Sequence, residues 1–381
     1  MIKLNNEKCI GCGACVSVCP TKCLAMENDN EGFFYPVSAN DNCIECGLCE
    51  SVCEAQIQVE PITVLSSYAV KNKNENIRKD SSSGGAFFEL AKVVIQEGGV
   101  VFGAAFDSEW NVCHIQCDKL SDLEKLRKSK YLQSNTNGVY QKVKELLQEN
   151  KTVLFSGTPC QCNALSVFLG RRYENLFMID FICHGVPSPA VWQKYLKYET
   201  GGKDVALVNF RDKSRGWRNF RLNITCSDST NINMPYSQSA YMQLFLGDFI
   251  LRPSCYVCQS KFPNKAADIT IGDLWGADKI VADDDDMGIT LVIINTPCGK
   301  RLFEKVASDF EVENVDYNEA FKYNPNALES AKIPKNRRKV FKNIFSENRD
   351  FNKIAKKFCD KKPILVRIKS VLKVIYRKVL K

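Results

Sequence analysis

Apolar residues along this chain follow two alternating registers. "AFFELAKVVIQEG" (86–98) gathers its apolar side chains on one helical face between a Ser-Gly start and a Gly stop, which predicts a helix. "GVVFGAAF" (99–106) is a continuous apolar run and predicts a buried strand. "VYQKVKELLQEN" returns to the helical period, and "KTVLFSG" (151–157) to a strand that ends in a glycine turn. "LFMIDFICHG" (176–185) repeats that strand-to-turn pattern, and "ADITIGDLWGAD" and "GITLVIINT" add later strands. Helices alternating with apolar strands predict an α/β body on a central mixed sheet. The acidic run 283–286 reads most simply as a solvated loop.

Residues 1–62 break this rhythm: they are cysteine-rich, short-looped and end near Pro61, after which the polar segment "KNKNENIRKDSSSGG" leads into the body. "CIGCGACVSVCP" sets Cys9, Cys12, Cys15 and Cys19 in a C-x2-C-x2-C-x3-C-P run, and "CIECGLCESVCE" repeats it with Cys43, Cys46, Cys49 and Cys53. Two copies are the signature of a bacterial-type ferredoxin with two 4Fe-4S clusters, in which the fourth cysteine of each run ligates the other cluster. One cluster then takes Cys9, Cys12, Cys15 and Cys53, and the other Cys43, Cys46, Cys49 and Cys19. Two-residue gaps let the backbone wrap a cube, and Gly11, Gly13 and Ala14 allow close approach. Zinc is the competing occupant of soft thiolate sites, and the doubled register argues against it. Glu54 stands where proline is usual, which weakens only the local turn, and Cys23 reads as a small buried apolar residue.

Composition adds compartment and charge. Nineteen cysteines in 381 residues fall below disulfide-scaffold density, and the chain is too long to need staples. "MIKLNNEKC" has no apolar leader region and no run reaches the ~18 apolar residues of a spanning helix, so a cytosolic protein with reduced or metal-bound thiols is expected. From 332 to 381 there are 18 Lys/Arg against Glu347, Asp350 and Asp360, a net of +15, whereas the first 331 residues carry −7. "KPILVRIKSVLKVIYRKVLK" places Ile364, Ile368, Val371 or Leu372, Ile375 and Val379 on one helical face. Two readings stand: a basic helix at an anionic membrane surface, on the inner face, or a solvated, partner-docking helix. Nucleic acid is disfavoured, because no aromatic-basic platform accompanies the charge.

"SSSGGAFFELA" puts a Ser-Gly turn before a helix, a place suited to a phosphate. "SKYLQS" (129–134), "SGTPCQ" (156–161), "ICHGVPSP" (182–189), "FRDKSRGW" (210–217), "RPSCYVC" (252–258) and "ADITIGDLWG" (267–276) follow in that order. Together they resemble the coenzyme F420 hydrogenase/dehydrogenase beta-subunit family from about Tyr68 to Phe341, with a ferredoxin module fused in front. The resemblance implies FAD, passage of electrons between iron-sulfur clusters and a small-molecule acceptor such as coenzyme F420, and a redox partner protein. Some relatives act on a chlorophyll derivative, and many bacterial ones are associated with polysaccharide biosynthesis. It places Ser83, Gly84 and Gly85 near the flavin, with Lys130, Gln133 and Ser134 as a flavin-contacting segment and Gly157, Thr158 and Pro159 at a ligand-facing strand end. Lys130 reads either as stabilising charge on a reduced flavin or as a surface lysine, His184 as a proton donor or a structural histidine, and Arg211, Asp212 and Trp217 as lining the substrate side or an exposed strand-to-loop transition.

Cys255 and Cys258 allow zinc, a redox disulfide or half of a cluster. Cys160 and Cys183 each follow a buried strand in a turn, and the resemblance implicates both motifs in cluster binding. A third 4Fe-4S cluster on Cys160, Cys183, Cys255 and Cys258 is therefore expected, with Cys162 competing for the place of Cys160, while Cys113, Cys117, Cys226, Cys298 and Cys359 are incidental. The expected organisation is a ferredoxin domain (1–62), two parts of one flavin and iron-sulfur α/β body (66–150 and 151–331), and a basic helical tail (332–381). The expected function is that of an iron-sulfur flavoprotein oxidoreductase. The alternatives are a non-catalytic electron-transfer subunit and a membrane-surface component of polysaccharide synthesis with structural metal sites.

Overall fold

The computed structural model of the chain describes residues 7–359, so the amphipathic face from Ile364 to Val379 lies outside the described residues. In the N-terminal module, β1 (Leu24–Asn28) and β2 (Phe34–Ser38) form an antiparallel hairpin between two short cysteine-bearing helices, Ala14–Val18 and Leu48–Ser51.

Two sheets make up the rest. The strands in chain order are β3 (Ser66–Asn72), β4 (Val100–Phe106), β5 (Val112–Cys117), β6 (Ser134–Asn135), β7 (Val153–Gly157) and β8 (Leu176–Phe181), followed by β9 (Val205–Asp212), β10 (Arg221–Cys226), β11 (Asn231–Pro235), β12 (Ile269–Asp273), β13 (Thr290–Ile294) and β14 (Phe310–Asn314). Strands β9, β10 and β11 form a small antiparallel sheet of their own. The other nine build the mixed sheet of the body, in the order β14-β3-β13-β12-β8-β7-β4-β5-β6. The centre is parallel, β12 with β8, β8 with β7 and β7 with β4, and antiparallel strands flank it. Central strands buried on both faces need continuous apolar runs, which is why Val153, Leu154 and Phe155 follow one another at 0% exposure. Ala86–Gln96 packs on one face with Val101 and Leu154, and Val139–Gln148 and Pro159–Leu169 pack on the other with Phe102 and Phe155.

The start of the basic C-terminal stretch belongs to the body. Arg337–Ile344 and Phe351–Cys359 bury Val340, Phe341, Phe351 and Phe358 in the cluster that holds Trp192 and Tyr241. Amphipathic spacing buries the apolar faces of these helices while the lysines stay outside. The acidic run 283–286 is not a free solvated loop. Asp285 takes both Nη atoms of Arg78, Asp283 pairs with Lys71 at 2.6 Å, and Asp284 and Asp286 pair with Arg218. Those basic partners are remote in sequence, so local composition could not show them. Among the described residues no helix is long and apolar enough to cross a membrane.

Candidate electron-transfer site

The N-terminal thiols fall into an inner and an outer set. Burial raises the Cys12 thiol well above its usual range, and Cys15, Cys9 and Cys53 add to the effect. Cys15 is pushed up to about 12 by burial, then by Cys9 and Cys53. Neighbouring thiolates repel, so the mutual shifts place Cys9, Cys12, Cys15 and Cys53 together. Around Cys15, Cys23 and Leu24 pack Cys19, Cys43, Cys49 and Cys53, so the two sets adjoin, with Cys46 exposed at the outer one. Cys23 Sγ lies 3.4 Å from Cys19 Sγ, and its amide donates to that sulfur. Slight desolvation raises Cys19, but the Cys23 amide and the Thr21 hydroxyl outweigh it and hold the thiol at about 7.

In the body, Cys160, Cys183, Cys255 and Cys258 line one cavity of about 40 Å3. Cys160 is the second residue of the helix Pro159–Leu169, directly after β7. Thr158 caps that helix through the Gln161 amide and holds its hydroxyl 3.1 Å from Cys160 Sγ. Cys183 lies just beyond β8, the strand hydrogen-bonded to β7, so the two parallel strands deliver their thiols at the same edge. Cys255 lies in the 3-10 turn Pro253–Val257 with Cys258 after it, and the Val186 amide donates to Cys255 Sγ at 3.4 Å. Burial raises all four thiols, Cys255 to about 12, and Cys160 feels both Cys258 and Cys183. Cys162 turns away. It is 0% exposed in the apolar core, with its thiol toward the Ile179 carbonyl.

Three cations face this cavity, and none stands out in the sequence. Lys261 donates to the carbonyls of Cys183 and Asn326, and Lys265 pairs with Asp180 at 3.0 Å with both side chains buried. Arg252, 1% exposed, reaches out of the cavity to donate to Cys9 O, Phe34 O and Gln133 Oε1. Gln133 itself donates to Ile10 O and Thr136 to Cys12 O, so the body grips the inner cysteine loop by its backbone. Ile10 lines the cavity, and Tyr140 is within reach of both the Cys12 and Cys160 thiols. Glu54 does more than weaken a turn: it is buried, accepts from Ser260 Oγ at 2.7 Å, and burial raises its pKa. The inner thiols and the body thiols are therefore neighbours.

The other expected residues divide between this site and a second face. His184 lines the cavity, with Nε2 2.7 Å from Asp248 Oδ1 and Nδ1 2.8 Å from Asn326 Nδ2. Pro159 lines it too, while Gly157 and Thr158 form the turn behind it. Gln133 is the strut just described, and Ser134 bonds to His114 Nδ1 at 2.7 Å. Burial lowers His114 to about 4, which leaves it a neutral structural side chain. At the second face, Ser83 Oγ donates to Ile289 O, and the Gly84 amide donates to Thr290. Gly85 caps the helix Ala86–Gln96 with φ 93°, a left-handed conformation that favours glycine. Lys213 donates to the carbonyls of Arg78, Ser83 and Met287, and burial beside Arg78 and Arg211 lowers it to about 8. Arg211 pairs with Asp273 at 3.0 Å and lies over Phe220, flanked by the stacked pair Trp217 and Trp275. Asp212 instead accepts from Asn223 and Asn233 within the small sheet. Lys130 is no ordinary surface lysine: burial, then Lys128, lowers it to about 7, and Nζ donates to the Arg127 carbonyl.

Comparison with known proteins gives matches to two families. Residues 8–57 match the 4Fe-4S dicluster domain, and residues 150–320 match the family described as the C terminus of the coenzyme F420 hydrogenase/dehydrogenase beta subunit. A search of curated proteins finds no match. Among solved structures, the F420-reducing [NiFe] hydrogenase complex from Methanosarcina barkeri aligns over 76% of this chain and 96% of that chain, at 16% identity and a TM-score of 0.47. Ahead of a body whose residues 150–320 are similar to the C terminus of the coenzyme F420 hydrogenase/dehydrogenase beta subunit, the chain thus carries a segment similar to a 4Fe-4S dicluster domain.

Proposed function

We propose that the chain passes electrons between its two ferredoxin clusters and an FAD through a third 4Fe-4S cluster on Cys160, Cys183, Cys255 and Cys258, and between FAD and a soluble organic acceptor such as coenzyme F420. The observation that carries this is the gathering of four thiols from three separate segments around one cavity that also touches the inner ferredoxin loop. Four thiols are the donor set that a 4Fe-4S cluster takes. Arg252, Lys261 and Lys265 supply positive charge opposite an anionic thiolate set, and the Val186 amide donates to one sulfur. Both features favour the more reduced, more negative state.

The second face fits a flavin. Arg211 Nε and Trp217 Nε1 are buried without hydrogen-bond partners, next to paired indoles and the Ser83–Lys213 contact. A flavin exchanges electrons singly with a cluster and in pairs with an organic acceptor. Lys130, with a pKa of about 7, is able to hold or release a proton at Nζ near neutrality, and Arg211 keeps a fixed charge beside Asp273. Anaerobic purification with iron, acid-labile sulfide and flavin analysis tests the reading. About twelve iron atoms and one FAD are expected. About eight iron atoms with one zinc would remove the third cluster, and absence of flavin would remove the oxidoreductase reading in favour of a relay. Turnover of F420 by the isolated chain, with dithionite as reductant, tests the acceptor.

A further inference from the structure

The two halves of the dicluster module are matched in sequence and opposite in environment. "CIGCGAC" (9–15) and "CIECGLC" (43–49) align residue for residue. In the first, Cys9, Gly11, Gly13, Ala14 and Cys15 are buried, and in the second every residue from 44 to 48 is exposed. The matched positions show why the sequences differ. Gly11 has φ +70°, and a Cβ there would meet Gln133, Phe34 O and Arg252 at 2.7–2.9 Å. Glu45, its counterpart, keeps a left-handed φ of 55° with its side chain in solvent. Ala14 is 1% exposed and its counterpart Leu48 is 40% exposed. Ile44 is 63% exposed and precedes the exposed Cys46 by two residues.

A solvated loop has no need of isoleucine and leucine beside an exposed cysteine. Apolar side chains inside a charged border mark a contact surface. The border here is Asp41, Glu45 and Glu50, all exposed. Residues 1–62 carry nine acidic and three basic side chains, a net of −6, although Glu54 is buried and Glu31 is tied to Arg337.

We propose that the outer half of this module, Ile44, Cys46 and Leu48 bordered by Asp41, Glu45 and Glu50, is the docking surface for an electron-transfer protein whose redox centre is ringed by lysine or arginine. The inner loop is covered by the body, so exchange through this module with another protein takes place at the outer thiols. One electron crosses per encounter between the partner's centre and the outer 4Fe-4S cluster, and no bond is made or broken. Opposite charge raises the encounter rate and selects the partner, while a small apolar centre keeps the complex short-lived. The inference rests on the relay reading above.

The test uses the full-length holoprotein, reduced anaerobically, with cytochrome c as the basic-rimmed probe and an acidic flavodoxin as its opposite, mixed by stopped flow. Reduction of cytochrome c should slow steeply with added salt. Asp41→Lys with Glu45→Lys should slow it about tenfold at low ionic strength and speed the flavodoxin reaction. Glu313→Lys, at an exposed carboxylate on β14, should change neither rate. Salt-insensitive rates, an equal effect of Glu313→Lys, or preference for the acidic probe would overturn the proposal. Deleting residues 360–381 separates the remaining occupant. An unchanged effect of the double reversal supports a partner protein, whereas one that vanishes on deletion means that the chain's own basic segment covers the patch. Failure of the wild-type protein to bleach near 400 nm on reduction would sink the relay reading itself. Normal bleaching with salt-insensitive rates would sink the docking surface alone.

Discussion

Arg252 joins the module to the body more directly than any other side chain described. Replacing it with methionine leaves buried carbonyls of Cys9 and Phe34 without a donor and removes a stacked cation over Tyr35. A loss of about 3 kcal/mol or more is expected, read as a lowered denaturation midpoint, with Arg252→Lys recovering only part because it cannot fork. Cys160 and Cys162 make a sharper pair. Cys160→Ser should remove about four of twelve iron atoms, whereas Cys162→Ser should leave iron content unchanged and lower stability, because it puts a hydroxyl in an apolar core. Lys130 sets a pH dependence. Its folded pKa of about 7 lies below the unfolded value near 10.5, so the unfolded chain binds more protons between those limits and stability rises with pH through that window. The full cost of burying the ammonium is felt below pH 7. Lys130→Met should therefore be more stable than wild type at pH 6.5, and the gap in thermal midpoint should close toward pH 10.

Among the elements, the glycines of the two cysteine loops separate packing from conformation. Gly11→Ala adds a Cβ within 2.9 Å of three body or hairpin atoms at φ +70°, whereas at Gly47, φ +74°, nothing lies within 4 Å. Gly47→Ala should cost about 1 kcal/mol, the left-handed penalty alone. Gly11→Ala should cost clearly more and loosen the module, read as faster proteolytic cutting between residues 1–62 and the sheet. The strands and helices flanking the site were legible because each has a strong period of its own. Val153–Gly157 and Leu176–Phe181 could be read from their mostly apolar runs, although Asp180 interrupts the second, and so could the turns that carry Cys160 and Cys183. The small three-stranded sheet was not legible. β9 reads i-e-e-i-i-B-B-i in burial and lacks a clean alternation, since its role is to carry Arg211 to a partner 62 residues away.

For the molecule as a whole, the dicluster module is thin without its metal. Its own cluster of buried residues is Cys15, Cys23 and Leu24, with five further apolar side chains against it, four of them cysteines. Such a core is held largely by its ligands, so removing iron by chelation under mild oxidation should unfold residues 8–57 before the sheet. Hydrogen exchange should show protection lost there first, while β7 and β8 stay protected. Residue order alone was enough for the two cysteine runs of the dicluster module and for the alternation of the α/β body, because cysteine spacing and apolar period are local and survive without neighbours. It also narrowed the body thiols to a short set of candidates. Packing in three dimensions then selected Cys160 over Cys162 to face the cavity, stood Arg252, Lys261 and Lys265 around it, and buried one cysteine loop while leaving its twin bare. Those outcomes depend on which side of a helix meets which strand, and on side chains as far apart as Cys9 and Arg252, and nothing local encodes such distances.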